Sequence, residues 1–185
     1  MQSKPKQPTK PPSDSRSHLL ATINAIVDGK EKPTKENKII YRVSGGPPTR
    51  RLEQTLEIHG TGSITCYLMD KLNGQRKRRF KHKFPPDKVI DIFRELLASR
   101  LLENIDTDKG FLPDSIIGSI TIEHGISRIT YYFLADEQQR QNQGKSMSPS
   151  MARMNVILQE LYNQVLDLKN QTNAGQKPNY QGREE

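Results

Sequence analysis

The sequence predicts an α+β fold: an antiparallel sheet of about six strands in two hairpin blocks, with two or three helices packed on one face. Three observations predict it. Segments in which apolar residues alternate with polar ones form two blocks, over residues 38–84 and 116–134. Segments with apolar residues at helical spacing precede, separate and follow these blocks. All Leu, Ile, Val and Phe residues lie within residues 17–169, so we expect a single core there.

Both ends of the chain are predicted to be disordered. Residues 1–16 are rich in Pro and Lys, residues 170–185 are polar, and neither segment contains Leu, Ile, Val or Phe. Such segments cannot bury enough apolar surface to offset the entropy lost on ordering. No apolar run predicts a transmembrane helix, and the first residues do not resemble a signal peptide. A single cysteine excludes an internal disulfide. We therefore expect a cytoplasmic protein with no membrane partner.

A short helix over residues 17–29 is predicted to precede the sheet. Its apolar residues recur at helical spacing, Ser17 is a suitable N-cap, and Gly29 stands just past the end. Residues 30–37 form a polar linker. A single α+β domain is then predicted over residues 38–169.

The first block contains four predicted strands. Each shows a period of two, and together they cover residues 38–44, 51–59, 63–70 and 76–84. Clusters of turn-forming residues separate them, with Gly-Gly-Pro-Pro at 45–48, Gly-Thr-Gly at 60–62 and Asn-Gly at 73–74.

Charge decides the register of the last hairpin in this block. A two-residue turn at Asn73-Gly74 would place cationic side chains on the apolar face, beside Cys66. A three-residue loop, residues 72–74, shifts the pairing by one residue and inverts the faces. It places Phe80 opposite Cys66 and puts Arg79 and Tyr67 together on the other face. We therefore predict the three-residue loop.

A helix is predicted between the two blocks. It begins at the Pro-Pro-Asp sequence of residues 85–87, ends near Ile105 and carries one apolar stripe.

The second block is predicted to be a hairpin followed by the final helix. Strands over residues 116–123 and 126–134 flank His124-Gly125, which suits a two-residue turn. This turn places one set of apolar side chains on a common face: Ile116, Ile120, Ile122, Ile129, Tyr131 and Phe133. Ser148-Pro149 leads into the last helix, whose apolar stripe is Met154, Ile157, Leu161, Val165 and Leu168.

The most unusual feature is the basic segment 71–83. It carries seven Lys or Arg residues and no acidic residue, in a chain of net charge +8. In the predicted register, its second strand presents a cationic row beside an aromatic side chain suited to base stacking. The candidate anion- or nucleic-acid-binding residues are Lys77, Arg79, Lys81, Lys83 and Tyr67. The alternative is that lysines on a terminal strand prevent edge-to-edge aggregation. Glu53 and Glu57 on the same face would partly neutralise the row.

No other motif predicts a catalytic or metal site. Ser44-Gly45-Gly46 lacks the Lys-Ser/Thr of a phosphate-binding loop, which favours a tight connection. The four histidines lack metal-ligand spacing. Cys66 is predicted on the apolar face and His59 on the opposite one, so they cannot form a nucleophilic dyad. The acidic residues at 106 and 108 supply too few ligands for a calcium loop and indicate a helix-ending turn. We expect no metal, no cofactor and no enzymatic activity.

The order of motifs resembles that of emfourin-type domains. A strand ending in Ser44-Gly45-Gly46 precedes a meander and a helix; Pro-Asp-Ser at 113–115 leads to a strand with Ile-Thr-Ile-Glu at 120–123. Thr-Tyr-Tyr-Phe at 130–133 then precedes the last helix. Emfourin-type domains are small α+β proteins that include inhibitors of thermolysin-like metalloproteases. The resemblance implies this fold and a small protease-inhibitor-like protein as one function. The N-terminal arm, the first helix and the basic hairpin depart from the pattern.

These observations predict a non-catalytic binding or interaction module. Its partner is a protein or an anionic molecule, and the sequence leaves this choice open. The leading alternative is nucleic-acid binding through the hairpin 71–83. Such binding would be directed to phosphates, because the hairpin offers charges but no recognition helix for base edges.

Overall fold

The computed structural model describes residues 13–46, 52–70, 76–103, 111–112 and 114–175. Over these residues the chain forms a six-stranded antiparallel sheet with helices packed on it, which confirms the predicted α+β class. In chain order the elements are α1 (Ser13–Val27), β1 (Lys38–Gly45), β2 (Leu52–His59), β3 (Ser63–Asp70), β4 (Arg76–Lys83), α2 (Pro86–Ala98), β5 (Ile116–His124), β6 (Ser127–Leu134), α3 (Glu137–Asn142) and α4 (Pro149–Gly175).

The strand order is β4-β3-β2-β1-β5-β6, with every neighbouring pair antiparallel. The first four strands form a meander because each is joined to the next by a short turn or loop. The β5–β6 hairpin then pairs with the other side of β1. The first strand of the chain is therefore central, whereas β4 and β6 form the two edges of the sheet.

The β3–β4 register is the one that charge placement predicts. Phe80 lies opposite Cys66, Arg79 opposite Tyr67, and Lys81 opposite Thr65. This register turns the apolar side chains of both strands toward the same face. The predicted loop itself, residues 72–74, lies outside the described residues.

The predicted β5–β6 turn is wrong: the turn lies one residue further along the chain, which shifts the strand pairing by two residues. His124 pairs with Ser127, so the turn residues are Gly125 and Ile126 rather than His124 and Gly125. Gly125 has φ +56, as the first central residue of a type II′ turn requires. Because the shift is an even number of residues, every side chain keeps its predicted face.

The helices differ from prediction at their ends. The first helix begins at Ser13, so residues 13–16, predicted to be part of the disordered arm, are helical. It ends at Val27, and Gly29 follows with φ +73, as expected for a helix stop. The last helix extends to Gly175, so residues 170–175, predicted to be a disordered tail, are helical too. The rest of both predicted tails lies outside the described residues.

The second helix ends earlier than predicted, at Ala98 rather than near Ile105. Arg100 takes the left-handed conformation with φ +57, which a right-handed helix cannot continue. A single 3-10 turn, Leu101–Glu103, follows. A short helix that the sequence did not predict, α3, begins after Asp136, whose side chain accepts a hydrogen bond from the Gln139 N–H at 2.8 Å.

One hydrophobic core lies between the sheet and three helices. It contains buried side chains from α1, α2 and α4 and from one face of all the strands except the edge strand β4, whose Phe80 packs against it. The largest members that are fully buried include Tyr41, Tyr131, Tyr162 and Phe93. Tyr41 donates its hydroxyl toward the side-chain amide oxygens of Asn155 and Gln159 on α4, both at 2.9 Å. This contact links the central strand to the last helix.

Candidate anion-binding face of the sheet

The two faces of the sheet are chemically different. The buried apolar side chains that form the core beneath α1, α2 and α4 lie on one face, whereas among the described side chains of the opposite face Leu134 is the one buried hydrophobic, and it lies outside that core. We call this opposite side the open face. Three threonines near its middle, Thr55, Thr65 and Thr121, are each only 4% exposed because longer neighbours flank them. The neighbours of Thr55 and Thr65 are largely charged or aromatic, whereas Thr121 lies between Ile40 and Thr130.

A cationic row lies along β4 on the open face. Arg79, Lys81 and Lys83 alternate in sequence and are exposed. Consecutive members stand about 6.8 Å apart, because side chains on one face of a strand repeat every second residue. Lys77 occupies the next position of the same row, opposite Met69, and its side chain lies outside the described part of the structure. All four predicted positions of the row therefore lie on the open face, and the side chains of Arg79, Lys81 and Lys83 are described.

Tyr67 lies beside this row, as predicted. It is half-buried on β3, directly opposite Arg79. The Arg79 guanidinium carbon lies 5.4 Å from the centre of the Tyr67 ring, a cation–π distance. The contact holds the guanidinium over the aromatic ring next to Lys81. An aromatic ring and two cations, Arg79 and Lys81, thus occupy neighbouring positions on β3 and β4.

The structure adds Arg42, which the sequence analysis did not assign. Lateral pairing aligns one residue from each strand across the open face, in the order Arg79, Tyr67, Thr55, Arg42, Ser119 and Tyr132. We call this set the central row. It contains two arginines, two tyrosines and no carboxylate. Arg42 is exposed, and two strand spacings place it about 10 Å from Tyr67.

The two predicted acidic neighbours flank the central row. Glu57 pairs with Thr65, and Glu53 pairs with Met69, so both lie on the open face next to β3. Each carboxylate is half-buried. They reduce the positive potential on both sides of the central row but do not interrupt it.

The central row could not be found from the sequence because strand order is a long-range property. Alternation in residues 38–44 already places Arg42 on the polar side of its strand. Nothing local indicates that β1 lies two strands from Tyr67. Only the pairing of β1 with β2 and of β2 with β3 brings these residues into one line.

Cys66 is buried on the core face, as the sequence predicts. Burial raises the pKa of its thiol to about 12, so the thiol stays protonated at neutral pH. His59 lies on the open face and its Nδ1 is 3.1 Å from the carbonyl oxygen of Lys35. A cysteine–histidine pair is thus not formed.

The remaining histidines make local contacts. His124 Nδ1 lies 2.8 Å from the Asn37 side-chain nitrogen, and His18 Nδ1 lies 3.1 Å from the Ser127 hydroxyl. The two imidazole rings are 5.5 Å apart. His82 packs edge-on against Phe84 at 4.8 Å. Within the described part of the chain, no group of three or more His, Cys, Asp or Glu side chains could hold a metal ion.

The Ser44-Gly45-Gly46 segment forms a close backbone approach. Gly45 has φ +124, and a Cβ atom there would lie 2.1 Å from the carbonyl oxygen of Ser115. A side chain at this position would therefore collide with the backbone before β5. This close approach lies between the end of β1 and the residue before β5; the predicted connection from β1 to β2, residues 47–51, lies outside the described residues. The acidic residues at 106 and 108 lie outside the described residues.

No protein-family model matches the chain, and a comparison with curated protein sequences gives no match. The resemblance to emfourin-type domains therefore stays a prediction. Among the described helices, none combines the length and apolar character needed to cross a bilayer.

Proposed function

We propose that the protein is a non-catalytic binding protein whose open face binds the phosphate backbone of single-stranded nucleic acid along β4. The observation that carries the proposal is the contact of Arg79 with Tyr67 at 5.4 Å, in line with Lys81 and Lys83. Proteins that bind single strands combine cations that neutralise phosphates with an aromatic ring on which a base stacks. A cytoplasmic location is part of the proposal.

The arrangement favours single strands over duplexes. The cationic row stands at the edge of a sheet, and no described helix projects from the open face into a groove. Phosphate contacts alone do not separate single strands from duplexes, but a base can stack on Tyr67 only when it is not stacked within a duplex, which favours single strands. Phosphate contacts carry no sequence information, so binding should tolerate many sequences.

Charge on the open face supports an anionic partner. Arg42 extends the cationic surface inward from the edge, and the central row that joins it to Arg79 lacks a carboxylate. A strand of phosphates lying along β4 would contact Arg79, Lys81 and Lys83 in succession. On β2, the carboxylates of Glu53 and Glu57 make the open face less favourable for phosphate, so the strongest binding is confined to the side formed by β3 and β4.

The test is fluorescence anisotropy with labelled single- and double-stranded oligonucleotides over a salt series. Replacing Arg79, Lys81 and Lys83 by Gln should reduce the slope of log affinity against log salt by about 2, if each cation neutralises one phosphate of a single strand. Folding should survive, since all three side chains are exposed. Tyr67→Ala should weaken single-strand binding roughly tenfold and duplex binding less, because it removes base stacking.

The matched control removes three charges away from the open face. Lys30 and Lys32, in the segment between α1 and β1, and Arg94 on α2 are exposed, and their replacement by Gln lowers the net charge equally. This control should leave most of the salt slope unchanged. Equal losses in both triple variants would mean that only total charge matters, which contradicts a site on the open face.

Absence of binding by the native protein at about 50 mM salt would refute the proposal, because even non-specific nucleic-acid binding appears under such conditions. The cations of β4 would then be assigned to protection of the sheet edge. A protein partner would become the leading candidate.

A further inference from the structure

The two edges of the sheet differ in how they are protected. On β4 the edge carries a row of exposed cations, a common device against pairing between sheets. On β6 the edge sequence is Ser-Arg-Ile-Thr-Tyr-Tyr-Phe-Leu, with a single charge at Arg128. Tyr132 is 46% exposed although it lies in the middle of this edge strand. Eight residues rich in aromatic and β-branched side chains form a good template for a further strand.

The backbone groups that point away from the sheet can be identified. The Ala135 N–H donates to the Ile116 carbonyl at 2.8 Å, which makes these two residues a hydrogen-bonded pair. Such pairs alternate along an antiparallel ladder. The amide and carbonyl groups of Arg128, Thr130 and Tyr132 therefore face outward. No hydrogen bond from the described part of the chain reaches them, whereas the Leu134 carbonyl further along accepts one from Arg140.

We propose that β6 pairs antiparallel with β6 of a second copy of this chain, forming a twofold dimer with one continuous twelve-stranded sheet. Outward-facing residues must pair with outward-facing residues. The register centred on Thr130 satisfies this condition and uses every unpaired group between Arg128 and Tyr132.

The side chains at this edge are complementary to themselves. In the register centred on Thr130, Arg128 lies opposite Tyr132 of the second copy, and symmetry repeats the pair. Both side chains are on the open face, and the Arg128 side chain is 63% exposed. Glu123 holds the Arg128 guanidinium on that face through an ion pair of 3.1 Å. An arginine over an aromatic ring and a threonine opposite a threonine are both favourable cross-strand pairs.

Charge disfavours the other edge-to-edge arrangements. Pairing of β6 with β4 of another copy would bring Arg128 against the cationic strand that contains Arg79 and Lys81, and it would generate an open-ended fibre. Pairing of two β4 strands would bring two cationic rows together. Only the β6–β6 arrangement is closed and avoids opposing cations.

A competing occupant is the N-terminal segment of the same chain. Residues 1–12 contain four prolines, which lack the N–H that a ladder needs. This composition makes the segment a poor partner for an edge strand, and the second copy is the better one.

The experiment is sedimentation velocity of the nuclease-treated full chain over a range of concentrations. Wild-type protein should show a reversible monomer–dimer equilibrium. Tyr132→Lys places a like charge opposite Arg128 and should raise the dissociation constant about tenfold or more. Tyr132→Glu places an opposite charge there and should leave the dimer as tight as wild type or tighter. Circular dichroism melting shows whether both variants are folded.

A strictly monomeric wild-type chain would overturn the proposal, and so would a dimer that responds equally to both Tyr132 substitutions. A chain that dimerises only after deletion of residues 1–12 would show that this segment occupies the edge instead. Because nucleic acid is absent from the experiment, its outcome is independent of the binding function proposed above.

Discussion

Substitution of Gly118 by alanine tests the β5–β6 register directly. Gly118 pairs with Phe133, and the Phe133 ring lies across the glycine on the core face. A Cβ atom at Gly118 would stand 2.2 Å from the Cζ atom of that ring and 2.3 Å from Cε2. Such distances are far below van der Waals contact, and Phe133 is only 2% exposed, so the ring has little room to move.

Gly118→Ala lowers the free energy of unfolding because the added methyl group overpacks the core. Gly118→Ala should destabilise the protein by about 1–3 kcal/mol, which lowers the melting temperature by about 2–4 °C for each kcal/mol in a chain of this size. In a Phe133→Ala background, the ring that would collide with the new Cβ atom is absent. The same substitution should then be neutral or stabilising by about 0.5 kcal/mol, because alanine restricts the unfolded chain more than glycine does.

Urea denaturation of the wild type, the two single variants Gly118→Ala and Phe133→Ala, and the double variant measures the coupling free energy between Gly118 and Phe133. We expect a coupling free energy of about 1–3 kcal/mol, the range for residues in direct contact. In the alternative register with the turn at His124-Gly125, Gly118 would lie opposite Tyr131 instead. Equal costs of Gly118→Ala in both backgrounds would therefore refute the observed register.

Three further predictions concern the core and the chain ends. Cys66→Ala should cost about 1 kcal/mol or more, and thiol reagents should label native protein slowly at neutral pH, since burial raises the pKa of the thiol to about 12; rapid labelling would contradict burial. Stability should also fall as pH rises from about 9 toward 12, because the thiol deprotonates in the unfolded chain while the buried thiol stays protonated; Cys66→Ala should remove this part of the fall and leave the part that the buried tyrosines contribute. Tyr131→Phe should leave the melting temperature unchanged or raise it by a few degrees, because the buried Tyr131 hydroxyl has no hydrogen-bond partner in the described part of the chain; a marked fall would reveal a partner. Deletion of residues 1–12 and 176–185 should shift the melting temperature by less than about 5 °C, and a larger fall would mean that one end packs against the domain.

The β3–β4 register was predictable because the wrong register carries a visible penalty. A shift of one residue would bury several cations beside Cys66, so charge alone separates the alternatives. For the β5–β6 hairpin, no such penalty separates the two alternative registers. A shift of two residues leaves every face unchanged, and Ile126, which looks like the first residue of a strand, is instead a fully exposed turn residue.

The sequence could predict only those parts of the site whose residues are close together in the chain. Tyr67 and the cations of β4 belong to one hairpin, so their proximity follows from a short loop and a period of two. Arg42 joins them through two further strand pairings, and Tyr132 through four. The end of α2 was missed for a different reason: the left-handed conformation of Arg100 is not encoded by a glycine or proline.

The position of β1 has a consequence for synthesis on the ribosome. β2 is available to pair with β1 soon after both are synthesised, but β5, which pairs with the other side of β1, begins only at Ile116. During this interval one side of the future central strand is an unpaired edge, and α1 lacks the β6 surface against which it packs. Completion of the fold therefore depends on closing a long loop late in translation. The nascent meander is the stage at which a chaperone, or pairing with another nascent chain, can intervene.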